Sequence, residues 1–367
     1  MILDAERLVT AAHDGPGWLE IHDGTVVARG PGEHTDGPAA ERVGTVVPGF
    51  VDIHSHGALG HDVGDTDAPG LAAVVEYHAA RGTTSLVASV ATAPLADLDA
   101  AIRSLRPAVE RGELAGIHLE GPYLSPLRRG AHNPGLLRAP RLDELRALVA
   151  AGGGAVRMIT LAPELDGAEE AVRWLAGAGV VVAVGHSDAD AGLARAAFGW
   201  GATVVTHLFN GMRPLHHRDP GLVGAALADD RVTVELILDG HHVAAEAAEI
   251  VRRSAPGRLA LVSDSMSATG CGDGDYDLAG SAVRVSGGVA TLADGSSLAG
   301  STATVSTGFA LLAAAGVPLP DAVSATSTVA ARTIGLPEPL AAGSPADLLV
   351  VSDGTVDRVM RRGTWLA

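Results

Sequence analysis

The chain has 367 residues, a net charge of −17 and 26 basic residues, every one of them arginine. That length suits one large α/β barrel with an accessory piece, or two medium domains. The acidic balance, with no basic cluster longer than Arg128-Arg129 or Arg361-Arg362, argues against nucleic acid or an anionic membrane surface as a partner.

The absence of lysine excludes Schiff-base chemistry, a Walker-type phosphate loop and a carbamylated lysine bridging two metals. A single cysteine, Cys271, cannot form an internal disulfide. The opening "MILDAERLVT" lacks the basic and apolar pattern of a signal peptide, and the longest apolar run, around "GVVVAVG", is too short to cross a bilayer. A cytoplasmic protein is the expectation.

In chain order, residues 1–45 alternate apolar and polar side chains in "WLEIHDGTVVARG", with Asp23-Gly24 as a two-residue turn, which predicts a hairpin. From Val46 to Ser263 eight short β-branched runs follow: "TVVPGFVDI", "TTSLVASV", "GIHLE", "VRMITLA", "VVVAVG", "TVVTH", "VTVELIL" and "RLALVSD". Between them lie Ala/Leu-rich helical stretches such as "APGLAAVVEYHAARG", "PRLDELRALVAAG", "GAEEAVRWLAGAG" and "DADAGLARAAFGWG". Continuous apolar strands separated by helices predict a parallel sheet covered on both faces.

Eight repeats over this length predict a (β/α)₈ TIM-like barrel. A doubly wound sheet would need a Gly-rich phosphate turn after its first strand, and "DIHSHG" is not one. A further β-rich stretch, "DYDLAGSAVRVSGGVATLADG", follows the eighth strand, and residues 343–367 alternate as the N-terminus does. The expected fold is therefore α/β, with a barrel over residues 48–335 and a small β-sandwich domain built from both termini, 1–47 plus 336–367.

In such a barrel the C-terminal strand ends face the active-site mouth. They carry His54 and His56 after the first strand, Glu120 after the third, His186 after the fifth, His207 after the sixth, Asp239 after the seventh and Asp264 after the eighth. A lone His-x-His is weak, but ligand-type residues gathered at one end of consecutive strands are not required by packing. Imidazoles with carboxylates suit Zn²⁺ or Fe²⁺ better than Ca²⁺ or Mg²⁺, so a divalent metal is the expected cofactor. His78, in a helical stretch, reads as structural. The pairs His216-His217 and His241-His242 are expected to contribute at most one functional ring each, because neighbouring residues on a strand face opposite ways.

The motifs "PGFVDIHSHG", "GIHLEGPYLSPLRRGAHNPG", "VGHSDA", "THLFNGM", "RDPGLVGAAL", "LDGHHV", "LVSDSMSATG", "SLAGST" and "AGSPADLLVV" run along essentially the whole chain. Together they resemble the amidohydrolase superfamily and, within it, the N-acetylglucosamine-6-phosphate deacetylases. The resemblance implies hydrolysis of the acetamide of N-acetyl-D-glucosamine 6-phosphate to D-glucosamine 6-phosphate and acetate, in amino-sugar catabolism or recycling.

By the same resemblance, Glu120, His186 and His207 are metal ligands, and the intact His54 and His56 pair allows a second ion, with Glu120 bridging. Asp264 is the catalytic proton carrier, and His132 stabilises the oxyanion. Ala131, Asn210, Gly211, Asp239 and His242 contact substrate, with Gly211 standing where the family usually has Ala. Arg218 and His242 hold the phosphate near a neighbouring subunit's site in a homodimer, and Leu298, Ala299 and Gly300 close over the sugar.

Two other readings compete. One is a different metal amidohydrolase, although no His-x-x-Glu of the deaminase type follows a strand end and no lysine is present for lysine-bridged cyclic amidases. The other is a non-catalytic sugar-phosphate binding protein on the same fold.

Overall fold

The computed structural model describes residues 1–35 and 40–367. The part of the 1–45 alternation that falls on 36–39 lies outside the described residues. The eight runs form one eight-stranded parallel sheet whose spatial order follows the chain: Phe50–Ser55, Thr83–Ala91, Gly116–Glu120, Val156–Leu161, Val181–Val184, Val204–Val205, Thr233–Ile237 and Leu259–Val262. The first and last strands meet at their C-terminal ends, where the Asp264 N–H donates to the His54 carbonyl at 2.9 Å and the His56 N–H to the Ser265 carbonyl at 2.7 Å. The sheet is therefore a barrel, closed at the level of the candidate site.

Every residue of strands one, three, seven and eight is buried. This explains their unbroken apolar character, since each faces helices on one side and the barrel interior on the other. The outer layer includes helices Ala68–Ala79, Leu95–Glu110, Leu142–Gly152, Ala168–Gly177, Ala191–Trp200, Gly221–Leu227 and Ala245–Ser254. Two of them begin where a carboxylate caps a free N–H: Asp67 accepts from Gly70, and Asp190 accepts from Leu193.

The run "TVVPGFVDI" is divided between two sheets. Glu41–Pro48 belongs to the terminal sheet, and the barrel strand starts at Phe50. Pro48 has no N–H to offer, and Gly49 lies so close to Thr84 that a Cβ there would overlap its side chain, so the chain turns from one sheet to the other at this dipeptide.

The terminal sheet has seven strands in the order Thr364–Trp365, Thr355–Arg361, Leu348–Ser352, Glu41–Pro48, Ile2–Val9, Asp14–His22 and Thr25–Pro31. Its hairpin turns at Asp23 and Gly24, both at positive φ (47° and 74°), as a two-residue turn between twisted strands requires. The sheet curls on itself. Val26 N–H reaches the Ser344 carbonyl and Ala346 N–H the Gly24 carbonyl, enclosing a core of Leu3, Leu19, Val46, Leu348 and Met360.

After the eighth strand, Gly274–Leu278, Ser281–Ser286 and Val289–Leu292 form an antiparallel three-stranded sheet with its own small core, including Met266, Leu278, Val283 and Ala299. Ser281 Oγ donates to the Ala131 carbonyl at 2.8 Å, which ties this insertion to the loop after strand three.

Candidate active site

Strand alternation sets which side chains enter the barrel. His118 and Glu120 are two apart on strand three, Asp52 and His54 on strand one, and Glu235 and Ile237 on strand seven. At three positions the chain leaves its strand in a left-handed conformation: His186 (φ 46°), His207 (φ 28°) and Asp264 (φ 47°). Such a backbone is costly for residues with a Cβ and persists where surrounding contacts enforce it, commonly at functional sites.

Glu120 is the hub. Its Oε1 lies 3.2 Å from His186 Nε2, 3.1 Å from His207 Nε2 and 3.5 Å from His54 Nε2, and its Oε2 lies 3.2 Å from His56 Nε2 and 3.3 Å from His132 Nε2. Asp264 Oδ1 stands 3.3 Å from His56 Nε2 and 3.5 Å from His54 Nε2. All seven residues are buried.

Two pairs of ring nitrogens face each other closely, His54 with His56 at 3.2 Å and His186 with His207 at 3.0 Å. Two N–H groups cannot point at each other at that range. Ligands of a tetrahedral zinc ion, at bond lengths near 2.0–2.1 Å, stand about 3.3 Å apart, so the donor set fits a divalent cation. Such an ion would be held by Glu120, His186 and His207, with His54 and His56 on the adjoining side.

The electrostatics carry the same demand for positive charge. Burial pushes the Glu120 carboxyl upward, but His54, His132 and His186 outweigh it and hold its pKa well below the carboxylate range. Asp264 is likewise raised by burial, yet His54 and His56 bring it down to about 2. Burial lowers His56, but hydrogen bonds to Asp264 and Glu120 carry it up to about 10. The carboxylates thus favour protons on the imidazoles, and a divalent cation meets the same need. His132 differs: burial dominates and brings it down to about 4, which leaves it a neutral ring.

A second layer holds these groups. His186 Nδ1 donates to the Arg128 carbonyl at 2.8 Å, and His54 Nδ1 donates to Glu235 Oε2 at 3.1 Å. Below them His118 bridges Ser89 (2.9 Å) and Thr160 (2.8 Å), which in turn meets Thr206 at 2.9 Å. Asp52 accepts from Ser263 Oγ at 2.5 Å and from the His54 N–H at 3.2 Å.

The cavity above the cluster is lined by His56, Glu120, His132, His186, His207 and Asp264, and on its outer side by Ala131, Asn210, Gly211, His242, Leu298 and Gly300. Three expected substrate contacts do not line it. Asp239 lies behind His242, accepting from its Nδ1 at 2.7 Å and from Ser301 Oγ at 3.0 Å. Ala299 is buried in the core of the insertion, and Arg218 is exposed, with its guanidinium 2.8 Å from His217 Nε2. The first two support lining residues, whereas Arg218 lies on the exposed surface outside the lining.

His216 and His217 sit on a loop and not on a strand, so their rings are not forced to opposite faces and lie side by side, 4.3 Å between centroids. His241 is exposed on a loop beside His242. His78 is buried in its helix with Nε2 3.2 Å from Ser265 Oγ, a structural placement. Reading strand ends alone missed Glu235, whose signal was a lone acid within the apolar run "VTVELIL". It also missed Leu278, Ala279 and Ser297, which reach the cavity from the insertion.

The model of the Amidohydrolase family matches residues 45–366. An N-acetylgalactosamine-6-phosphate deacetylase from Escherichia coli O157:H7 is 39% identical over 347 residues, 91% of this chain and 90% of that protein. An N-acetylglucosamine-6-phosphate deacetylase from Vibrio furnissii is 37% identical over 327 residues, 87% and 82% of the two chains. Among solved structures, a mutant N-acetyl-D-glucosamine-6-phosphate deacetylase from Mycobacterium smegmatis in complex with N-acetyl-D-glucosamine-6-phosphate superposes with TM-score 0.96 at 45% identity, covering 100% of this chain and 98% of that one.

Proposed function

The chain belongs to the amidohydrolase family, and from that premise we propose that it hydrolyses the acetamide of N-acetyl-D-glucosamine 6-phosphate to D-glucosamine 6-phosphate and acetate. The observation that carries this reading is the gathering of five imidazoles and Asp264 about Glu120, at the floor of a cavity whose outer side presents Asn210, Gly211 and His242. The similarity to deacetylases of N-acetylated hexosamine 6-phosphates supplies the substrate class.

A divalent cation at such a site polarises an amide carbonyl and lowers the pKa of water towards about 7. Zinc or iron suits the donors, with one or two ions per chain. The chain's own groups do the rest. Asp264 takes the proton from the water that adds to the acetamide carbon, and returns it to the nitrogen as the C–N bond breaks, so that an amine leaves rather than an amide anion. His132, kept neutral, donates a hydrogen bond to the carbonyl oxygen as negative charge develops there.

Asn210, the Gly211 backbone and His242 orient the sugar phosphate, with Asp239 fixing His242. Arg218 is exposed and does not line its own cavity, which suits a homodimer in which it reaches the phosphate of the neighbouring site while His242 meets the phosphate in its own; a guanidinium fork matches a phosphate dianion in an otherwise acidic protein. Among the described residues no helix is long and apolar enough to cross a membrane, and we place the enzyme in the cytoplasm.

The test is acetate release by metal-loaded protein from N-acetyl-D-glucosamine 6-phosphate, its galacto epimer and unphosphorylated N-acetylglucosamine. The gluco phosphate is expected to be preferred. Hydrolysis of an unrelated amide with no acetate from either phosphate would overturn the reading.

A further inference from the structure

Glu235 stands out among the buried groups that the reaction does not use. It sits in the middle of strand seven, fully buried, and among the described residues pairs with no guanidinium. A carboxylate placed so deep is expensive unless its oxygens are satisfied. Oε2 is satisfied twice, accepting from His54 Nδ1 at 3.1 Å and from the His207 backbone N–H at 3.3 Å, whereas Oε1 has no hydrogen-bond partner among the described residues.

The geometry has a direct consequence for His54. With Nδ1–H committed to Glu235, the lone pair of the neutral ring is on Nε2, and Nε2 is the atom that faces Glu120, Asp264 and His56. A carboxylate that grips the far nitrogen also raises the basicity of the near one, as buried carboxylates do behind metal-bound histidines. The other rings of the cluster are held differently: among the described residues His186 Nδ1 meets only a backbone carbonyl, and the Nδ1 atoms of His56, His132 and His207 have no partner. His54 is the one backed by a charge.

The same oxygen also fixes the backbone of His207, at its left-handed φ of 28°. One carboxylate thus ties the first-strand pair to the sixth-strand ligand and sets their spacing.

We propose that Glu235 is a positioning residue that equips the His54 and His56 side of the cluster to hold a second divalent cation, beside one held by Glu120, His186 and His207. This rests on the reading of the cluster as a cation site. It makes the ion count a property of a strand-seven residue as well as of the first-strand His pair.

The experiment titrates metal-free protein with Zn²⁺ against a chelator and counts zinc per chain, for the wild type, Glu235→Gln, His54→Ala and the double variant. The wild type is expected to bind two ions. Glu235→Gln should leave one intact and weaken the other about 10- to 100-fold, the usual cost of losing a group behind a ligand. If Glu235 works through His54, adding Glu235→Gln to His54→Ala costs that site nothing more, whereas a general packing role would cost the same in both backgrounds.

Should Glu235→Gln fail to fold, the ¹⁵N shifts of His54 in zinc-loaded wild type decide instead, with protonation at Nδ1 expected. Two undiminished zinc ions in Glu235→Gln, additive losses, an Nε2-protonated His54 or a single zinc in the wild type would each overturn the inference. A wild type that binds no zinc would instead sink the cation reading beneath it.

Discussion

The floor of the cavity and its rim are held by different means. On the floor, His54, His56, Glu120, His186, His207 and Asp264 leave the ends of buried strands, and the hydrogen bonds that close the barrel pass through the backbones of His54, His56 and Asp264. Moving any of them means deforming the barrel. On the rim, Ala131, Asn210, Gly211, Leu298 and Gly300 ride on loops, fixed by contacts such as Ser281 Oγ to the Ala131 carbonyl and the pairing of Asp188 with two arginines. Rigid strand ends suit groups that must keep sub-ångström spacing for chemistry, and loops suit groups that choose and enclose a substrate. Changes on the floor should therefore cost turnover, and changes on the rim should cost substrate binding.

The largest expected effect lies on the floor. Asp264→Asn keeps the shape of the side chain but removes the proposed proton carrier, so kcat should fall by about 10²- to 10⁴-fold. Because Glu120, His186 and His207 are untouched, zinc content should stay near the wild-type value. Steady-state kinetics with elemental analysis of the same preparation checks both halves, and full turnover in this variant would remove Asp264 from its role.

That division also marks what the sequence could disclose. Strand-end residues were legible because a short, continuous β-branched run and a change to polar or Gly residues together mark where a barrel strand stops. Glu120, His186, His207 and Asp264 follow from this directly. Glu235 did not, since inside an apolar run nothing local says whether an acid faces the interior of the barrel or its helices. The division of "TVVPGFVDI" at Pro48-Gly49 was hidden for a related reason: both halves are apolar strands, and only their partners, Leu348–Ser352 and Thr83–Ala91, tell them apart. Asp239 and Ala299 occupy expected stretches yet support the rim from behind, because a motif fixes a loop's position before it fixes which side chains point into the cavity.

Rim changes should read out in KM. If Arg218 meets the phosphate as proposed, Arg218→Ala removes a charge-assisted contact worth about 1.5–3 kcal/mol, which corresponds to a rise in KM of roughly 10- to 100-fold. Turnover of an unphosphorylated analogue should be unaffected. Since Arg218 is exposed and does not line its own cavity, activity per chain of the wild type should also fall on dilution to monomer if the arginine serves a neighbouring site, measured alongside sedimentation velocity. An unchanged KM for the phosphorylated sugar would take Arg218 out of the site.

The smallest effect tests the joint between floor and rim. Asp188, two residues after His186, takes Arg128 Nε at 2.8 Å and Arg213 at 3.1 Å, while the Arg128 carbonyl receives His186 Nδ1. One carboxylate thus pins the loop of Ala131 and His132 to that of Asn210 and Gly211. The arginines are about a third exposed, 33% and 35%, and pairs so open to solvent contribute roughly 0–1 kcal/mol. Asp188→Asn should therefore raise KM at most about five-fold and leave kcat and zinc content alone. The hydrogen bond from Arg213, then that from Arg128, outweighs the opposing effect of burial and holds the Asp188 pKa below the ordinary carboxylate range. The pin is accordingly present above that range and is lost only as pH falls through the lowered value. The ratio of variant to wild-type KM should stay flat from pH 5 to 8. A ratio that changed across that interval, or a loss confined to kcat, would show that Asp188 does not act by holding the two loops together.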